Sequence, residues 1–128
     1  MKKYCFLFCL SIFMNCLFAI SLEQLMIVAE DGTFLGTFEN KYSKKSIYNE
    51  YSDYGSKYSK NSILNINGNY GSDYSDYSPF YEYAKKAPIL MDRNGNSYGR
   101  LSINKYASGV TDYSYKLAYQ LKAIRDSM

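Results

Sequence analysis

The stretch KYSKKSIYNEYSDYGS, Lys41 to Ser56, is followed without a gap by KYSKNSILNINGNYGS, Lys57 to Ser72. Ten of the sixteen positions are identical, so the chain repeats itself in its middle. A third copy, DYSDYSPFYEYAKKAP from Asp73 to Pro88, keeps the Tyr-Ser-x-x-Ser frame and little else. Ile47 and Ile63 are the strongly apolar residues at a repeated place, which predicts that they point inward. Gly55 and Gly71 are expected at bends where glycine takes a conformation closed to other residues. Ser46, Ser62, Asn49 and Asn65 can fix turns by bonding neighbouring backbone.

Repeats of this kind bury a face by stacking, which takes about three or more units. Two good copies and one poor one predict loops packed on a sheet rather than a self-standing solenoid. Low complexity is the rival reading of a tract rich in Ser, Tyr, Asn and Gly. The register of Ile and Gly kept over two periods favours an ordered tract.

A hairpin is expected on each side of the tract. Leu25 to Ala29 and Thr33 to Phe38 are strand-like runs around Glu30-Asp31-Gly32, giving a hairpin over 25–38 with a type I′ turn. Pro88 to Met91 and Ser97 to Ile103 flank Asp92-Arg93-Asn94-Gly95-Asn96, giving a second over 88–103. Aligning Gly32 with Gly95 aligns Gly36 with Gly99, and each hairpin leads into Asn-Lys-Tyr (Asn40 to Tyr42, Asn104 to Tyr106). Two such hairpins predict two related edges of one small sheet. Leu22 to Ala29 also fits helical spacing, but the strand is preferred.

The carboxy terminus predicts a helix over 112–125, capped by Thr111 or Asp112, with Tyr113, Leu117, Leu121 and Ile124 as its inward stripe. Lys122 and Arg125 lie where the helix dipole favours cations. The expected fold class is therefore mainly β with one C-terminal helix, a small α+β domain over 22–128. Its repeat tract, 41–88, lies between the two hairpins.

Residues 1–21 read as a signal peptide. Lys2 and Lys3 precede an uncharged apolar run from Tyr4 to Phe18, and Ala19-Ile20-Ser21 offers a cleavage site after Ser21 or Ala19. The run falls short of the roughly twenty residues that span a bilayer. Asn15 and Met14 before Cys16 do not suit a lipoprotein signal. The expectation is an exported protein, periplasmic or secreted, with no membrane span after cleavage.

All three cysteines, Cys5, Cys9 and Cys16, lie in that segment, and the chain has no histidine. Ser-His-Asp and Cys-His hydrolysis are excluded on those grounds. Without Lys2 and Lys3, thirteen Lys and Arg face twelve Asp and Glu, which is no footprint for nucleic acid.

The carboxylates Glu30, Asp31, Asp73, Asp76 and Glu82 could in principle form a glycosidase pair, but their turn-like contexts do not mark an acid, and no enzyme is expected. Asp92 to Asn96 alternates oxygen ligands as calcium loops do. A hairpin turn explains the same residues, so no metal and no cofactor are expected.

The composite S-I-x-N, Y-G-S-x-Y-S-x-x-S-I-x-N and Y-A-x-x-x-P is carried by Ser46 to Asn49, Tyr54 to Ser59, Ser62 to Asn65, Tyr83-Ala84 and Ala87-Pro88. With Asn104 closing the second hairpin, it resembles an uncharacterised group of small exported bacterial proteins. The resemblance runs from Val28 to Tyr106 and implies export but no activity. The third copy departs from the pattern at Tyr81, where Asn would stand.

Two functional classes follow. In one, Tyr51, Tyr54, Tyr58, Tyr70, Tyr74 and Tyr77 form a binding surface for a cell-envelope glycan or a protein. Tyrosine suits this role, offering a rigid apolar face and one polar tip. In the other, the tyrosines form the core of a purely structural envelope protein.

Overall fold

In the computed structural model, which describes residues 20–128, the chain is a small α+β protein. The expected signal segment lies almost wholly outside the described residues. After a single 3-10 turn at Leu22–Gln24 come strands β1 (Leu25–Val28), β2 (Phe34–Thr37), β3 (Ile89–Asp92) and β4 (Ser97–Arg100). Helix α1 (Asp112–Asp126) ends the chain. The strands form one antiparallel sheet in the order β2-β1-β3-β4.

Both hairpins close alike, and not through the expected type I′ turn. That turn needs two residues at positive φ, and no non-glycine residue adopts one among the described residues. Instead Gly32 N–H donates to Ala29 O (2.9 Å) and Ala29 N–H to Thr33 O (2.8 Å), with Gly32 alone at φ 88°. Gly95 N–H to Asp92 O (3.2 Å) and Asp92 N–H to Asn96 O (3.0 Å) repeat the arrangement, with Gly95 at φ 86°. A left-handed glycine after a tight turn lengthens the loop by one residue and restores the strand twist.

The two hairpins meet along β1 and β3, where Ile27 pairs with Leu90. Counted from the turn glycines, these residues hold the same position, so a pseudo-twofold axis passes between them. Gly36 and Gly99, also equivalent, both take positive φ. The edges differ in what covers them. Beyond β2 the tract docks, Thr37 N–H donating to Lys45 O (2.8 Å) and Ile47 N–H to Thr37 O (3.0 Å). Beyond β4, Arg100 N–H donates to Gly109 O (2.8 Å) and Thr111 Oγ1 to Tyr98 O (3.1 Å). Neither edge is left bare for another strand to extend.

The tract is more regular than the expected loops. It is a run of tight turns three residues long, each begun by Ser, Asn or Gly. The backbone N–H of Ser43, Ser46, Asn49 and Ser52 donates to the carbonyl three residues earlier, and Ser59, Ser62, Asn65 and Gly68 repeat the series. Within a turn the first side chain accepts the N–H of the third residue, as Asn40 does from Tyr42 (3.0 Å), Ser46 from Tyr48 (3.0 Å) and Ser62 from Leu64 (3.1 Å). Such side-chain turns satisfy backbone groups that would otherwise lack partners.

The sixteen-residue copy is thus five triplets plus one inserted glycine, Gly55 or Gly71. Neither insert has positive φ, contrary to expectation. A Cβ on Gly55 would instead press into the carbonyls of Asn49 and Ile47, and one on Gly71 into those of Asn65 and Ile63. Close backbone approach is the reason for glycine there.

The third triplet of each copy faces inward. Its serines, Ser46, Ser62 and Ser78, and its middle residues, Ile47, Ile63 and Pro79, are all fully buried. Leu64 and Phe80 join them against Leu25, Ile27, Leu35 and Leu90 of the sheet and Leu117, Ala118 and Leu121 of the helix.

Thr111 caps α1 in a capping box with Ser114. The buried helix face is Ser114, Leu117, Ala118, Leu121 and Arg125. Tyr113 and Ile124, expected on the inward stripe, are exposed. Arg125 takes the inward place because the tract and Asp126, the last residue of the helix, together satisfy its guanidinium. It donates to Gly71 O (2.6 Å) and Asp73 Oδ1 (2.7 Å), and stacks over the Phe80 ring at 4.6 Å.

Candidate functional site

The triplet series accounts for the most exposed tyrosines. A tyrosine in third position follows a turn locked by the first residue, so its direction is set by where that triplet sits in the copy. Tyr42, Tyr58 and Tyr74 occupy the first triplet of their copies and are 81%, 81% and 85% exposed. Tyr51, on the fourth triplet of the first copy, is 90% exposed.

The six expected binding tyrosines therefore divide. Tyr51, Tyr58 and Tyr74 project into solvent. Tyr54 is half-buried, edge-on to Phe34 of β2 with ring centroids 4.9 Å apart. Tyr77 is also half-buried, packed edge-on to Tyr70 at 6.2 Å beneath the Lys86 ammonium. Tyr70 is buried, and its hydroxyl donates to Asp31 Oδ2 (2.9 Å) while lying 3.2 Å from Thr33 Oγ1. The Thr33 hydroxyl lowers the Tyr70 pKa, but burial and the Asp31 carboxylate outweigh it and hold the phenol above its ordinary value. Tyr54 and Tyr70 bind the tract to the first hairpin, and Tyr77 packs on Tyr70.

Tyr51 and Tyr58 come together in a groove of about 790 Å³, with Glu50, Ser56, Lys57 and the chain end Ser127-Met128. Tyr51 and Glu50 also line an adjoining groove of about 580 Å³, with Lys41, Tyr42, Tyr48 and Asn49. The two make one trough with four exposed rings along it. Lysine ammonium groups sit over its two end rings, Lys41 over Tyr42 at 5.4 Å and Lys57 over Tyr58 at 5.3 Å. Glu50 stands between them and keeps the trough from being uniformly cationic.

Sequence reasoning missed Tyr42 and Tyr48. The signal for Tyr42 was present, since it lies one repeat before Tyr58. Tyr48 carried none, because its counterparts Leu64 and Phe80 are buried.

Three of the five carboxylates weighed for catalysis, Glu30, Asp31 and Asp73, have close structural partners. Glu30 pairs with Arg100 at 2.7 Å and Asp73 with Arg125 at 2.7 Å. Asp31 accepts from Thr33 N–H (3.0 Å) and from Tyr70. Its bonds from Thr33, and then from Tyr70, hold its carboxyl below the usual range, opposite to what a general acid requires.

A polar groove of about 570 Å³ beside Glu23, Glu39 and the second hairpin turn lacks aromatic lining. Its Asp92 carboxylate already accepts from Asn94 N–H, Asn96 N–H, the Asn96 amide and the Tyr98 hydroxyl, each at 2.9 Å. That set makes the Asp92–Asn96 loop a self-satisfied turn. Among the described residues no helix is long and apolar enough to cross a membrane.

Comparison of the chain with protein-family models, curated proteins and solved structures finds no match.

Proposed function

We propose that this is an exported, non-catalytic protein that binds carbohydrate of the cell envelope in the tyrosine trough. The observation that carries the reading is the mixture in one trough of exposed rings, Tyr42, Tyr48, Tyr51 and Tyr58, with the polar side chains Lys41, Asn49, Glu50 and Lys57, of both signs. A sugar ring has an apolar C–H face, which suits the negative face of an aromatic ring. Its hydroxyls both donate and accept, so they use an ammonium and a carboxylate together. Export rests on the reading of residues 1–21 and on the resemblance to small exported proteins.

The test is binding of the exported chain to a purified cell-wall fraction and to soluble wall oligosaccharides. Tyr51→Ala is expected to lower binding by about tenfold, the share of an aromatic anchor, and to leave the melting temperature unchanged because the ring touches solvent. Undiminished binding by that variant counts against the trough. The structural alternative draws support from Tyr70, which is buried with a bonded hydroxyl. It predicts that no envelope component is retained at all.

A further inference from the structure

Resting on the carbohydrate reading above, we infer that the ligand is a linear polysaccharide strand lying along the tract, gripped at one aromatic platform per sixteen-residue copy. Tyr42, Tyr58 and Tyr74 stand one copy apart, and their exposures differ by only a few per cent (81%, 81% and 85%). Each follows a turn with the same lock. Tyr58 N–H donates to Ser56 Oγ (3.2 Å) and Tyr74 N–H to Ser72 Oγ (3.1 Å), as Tyr42 N–H does to Asn40 Oδ1 (3.0 Å). The first two copies also share a longer tie, Asn49 Nδ2 to Ser43 O and Asn65 Nδ2 to Ser59 O, both 3.0 Å. The first two copies, held by the same bonds, therefore present Tyr42 and Tyr58 alike, and Tyr74 shares their turn lock and their exposure.

Nothing in the packing requires those rings. The turn is locked by backbone N–H, which any residue but proline supplies, and Lys45 stands in the same third position elsewhere in the tract (its N–H donates to Ser43 Oγ at 3.3 Å). Three solvent-facing tyrosines therefore contribute little to stability, while a repeating ligand meets each in turn. A monosaccharide would use one platform and gain nothing from the others. A strand that spans several converts separate weak contacts into one avid interaction.

Tyr74 separates this inference from the reading on which it rests, because it lies outside both grooves of the trough. The experiment is calorimetric titration of the exported chain with linear N-acetylglucosamine oligomers from the monomer to the hexamer, and with longer soluble glycan strands freed of peptide. Affinity is expected to climb by about tenfold for each further platform reached. Tyr74→Ala should leave short oligomers bound as in the parent and weaken the longest strands by about tenfold. An affinity that does not rise with length, or a Tyr74→Ala chain that holds long strands as the parent does, overturns the strand while leaving the trough intact. Failure of every sugar, with Tyr51→Ala silent as well, removes the carbohydrate reading itself. Capture of a proline-rich peptide by the same rings would overturn both.

Discussion

Ile27 and Leu90 face each other across the β1–β3 pair and are each other's counterparts in the two hairpins. Both are fully buried, so the centre of the sheet is a contact between a residue and its own equivalent. Truncating either to alanine removes similar volume from the same place. We expect each single variant to lose about 2–5 kcal/mol in urea unfolding. The double variant should lose less than the sum, because neighbours share one cavity. A large difference between the singles would show that the two halves are not equivalent in packing.

Arg125 should prove the costliest polar residue of the helix. Its side chain is 1% exposed, and replacing it with methionine strands the Gly71 carbonyl and the Asp73 carboxylate. Asp73 is partly solvated, so the loss is expected near the low end for broken buried pairs, about 3 kcal/mol. Arg125→Lys should recover little, since one ammonium cannot reproduce the fork that reaches both partners. Thermal unfolding of the two variants beside the parent decides it.

The inserted glycines and the turn glycines should respond differently to alanine. At Gly32 a Cβ meets nothing within 4 Å, and the cost is that of positive φ, about 1 kcal/mol. At Gly71 the Cβ would lie 2.5 Å from the Ile63 carbonyl, so backbone must shift, and we expect the larger loss of an overpacked site, about 3 kcal/mol. Equal melting temperatures for the two variants would contradict the close approach.

The second hairpin should be sensitive at both ends of the pH scale. Asp92 is held below its ordinary value, by the Asn96 amide foremost, with burial working the other way. A depressed carboxyl stabilises the fold above its unfolded pKa of about 3.9, and that contribution fades as pH falls through the lower folded value. Tyr98 is raised by its bond to Asp92 and by burial. It therefore stabilises below about pH 10 and loses that contribution as pH rises through its folded value. Melting curves of Asp92→Asn should be flatter than the parent's in acid, and those of Tyr98→Phe flatter in alkali.

The hairpins and the helix were readable because their signals are local. Asp31-Gly32 and Asn94-Gly95 mark turns, and Thr111 or Asp112 marks a cap. Arg125 reads in sequence only as a cation suited to the helix dipole, since its tract partners lie more than fifty residues earlier, at Gly71 and Asp73. The tract hid a shorter period inside a longer one. Counting Asn40, Ser43, Ser46, Asn49 and Ser52 in threes exposes the turns, and Gly55 then shifts the frame by one, so the eye settles on sixteen. Exposure within the tyrosine set was unreadable for a related reason. Tyr51 and Tyr54 lie one triplet apart, each third in its turn after an acidic residue, yet only Tyr54 meets Phe34.

That single-residue frame shift has a consequence for how such a chain can vary between lineages. Duplication or loss of a whole copy during replication returns every isoleucine, glycine and platform tyrosine to its station. Loss of one triplet would carry Ile63 away from the sheet and bring Lys60 or Ile66, the middle residue of an adjoining triplet, to its place. Alleles of this protein should therefore differ in length by complete copies, each setting how far the molecule reaches without altering what it touches.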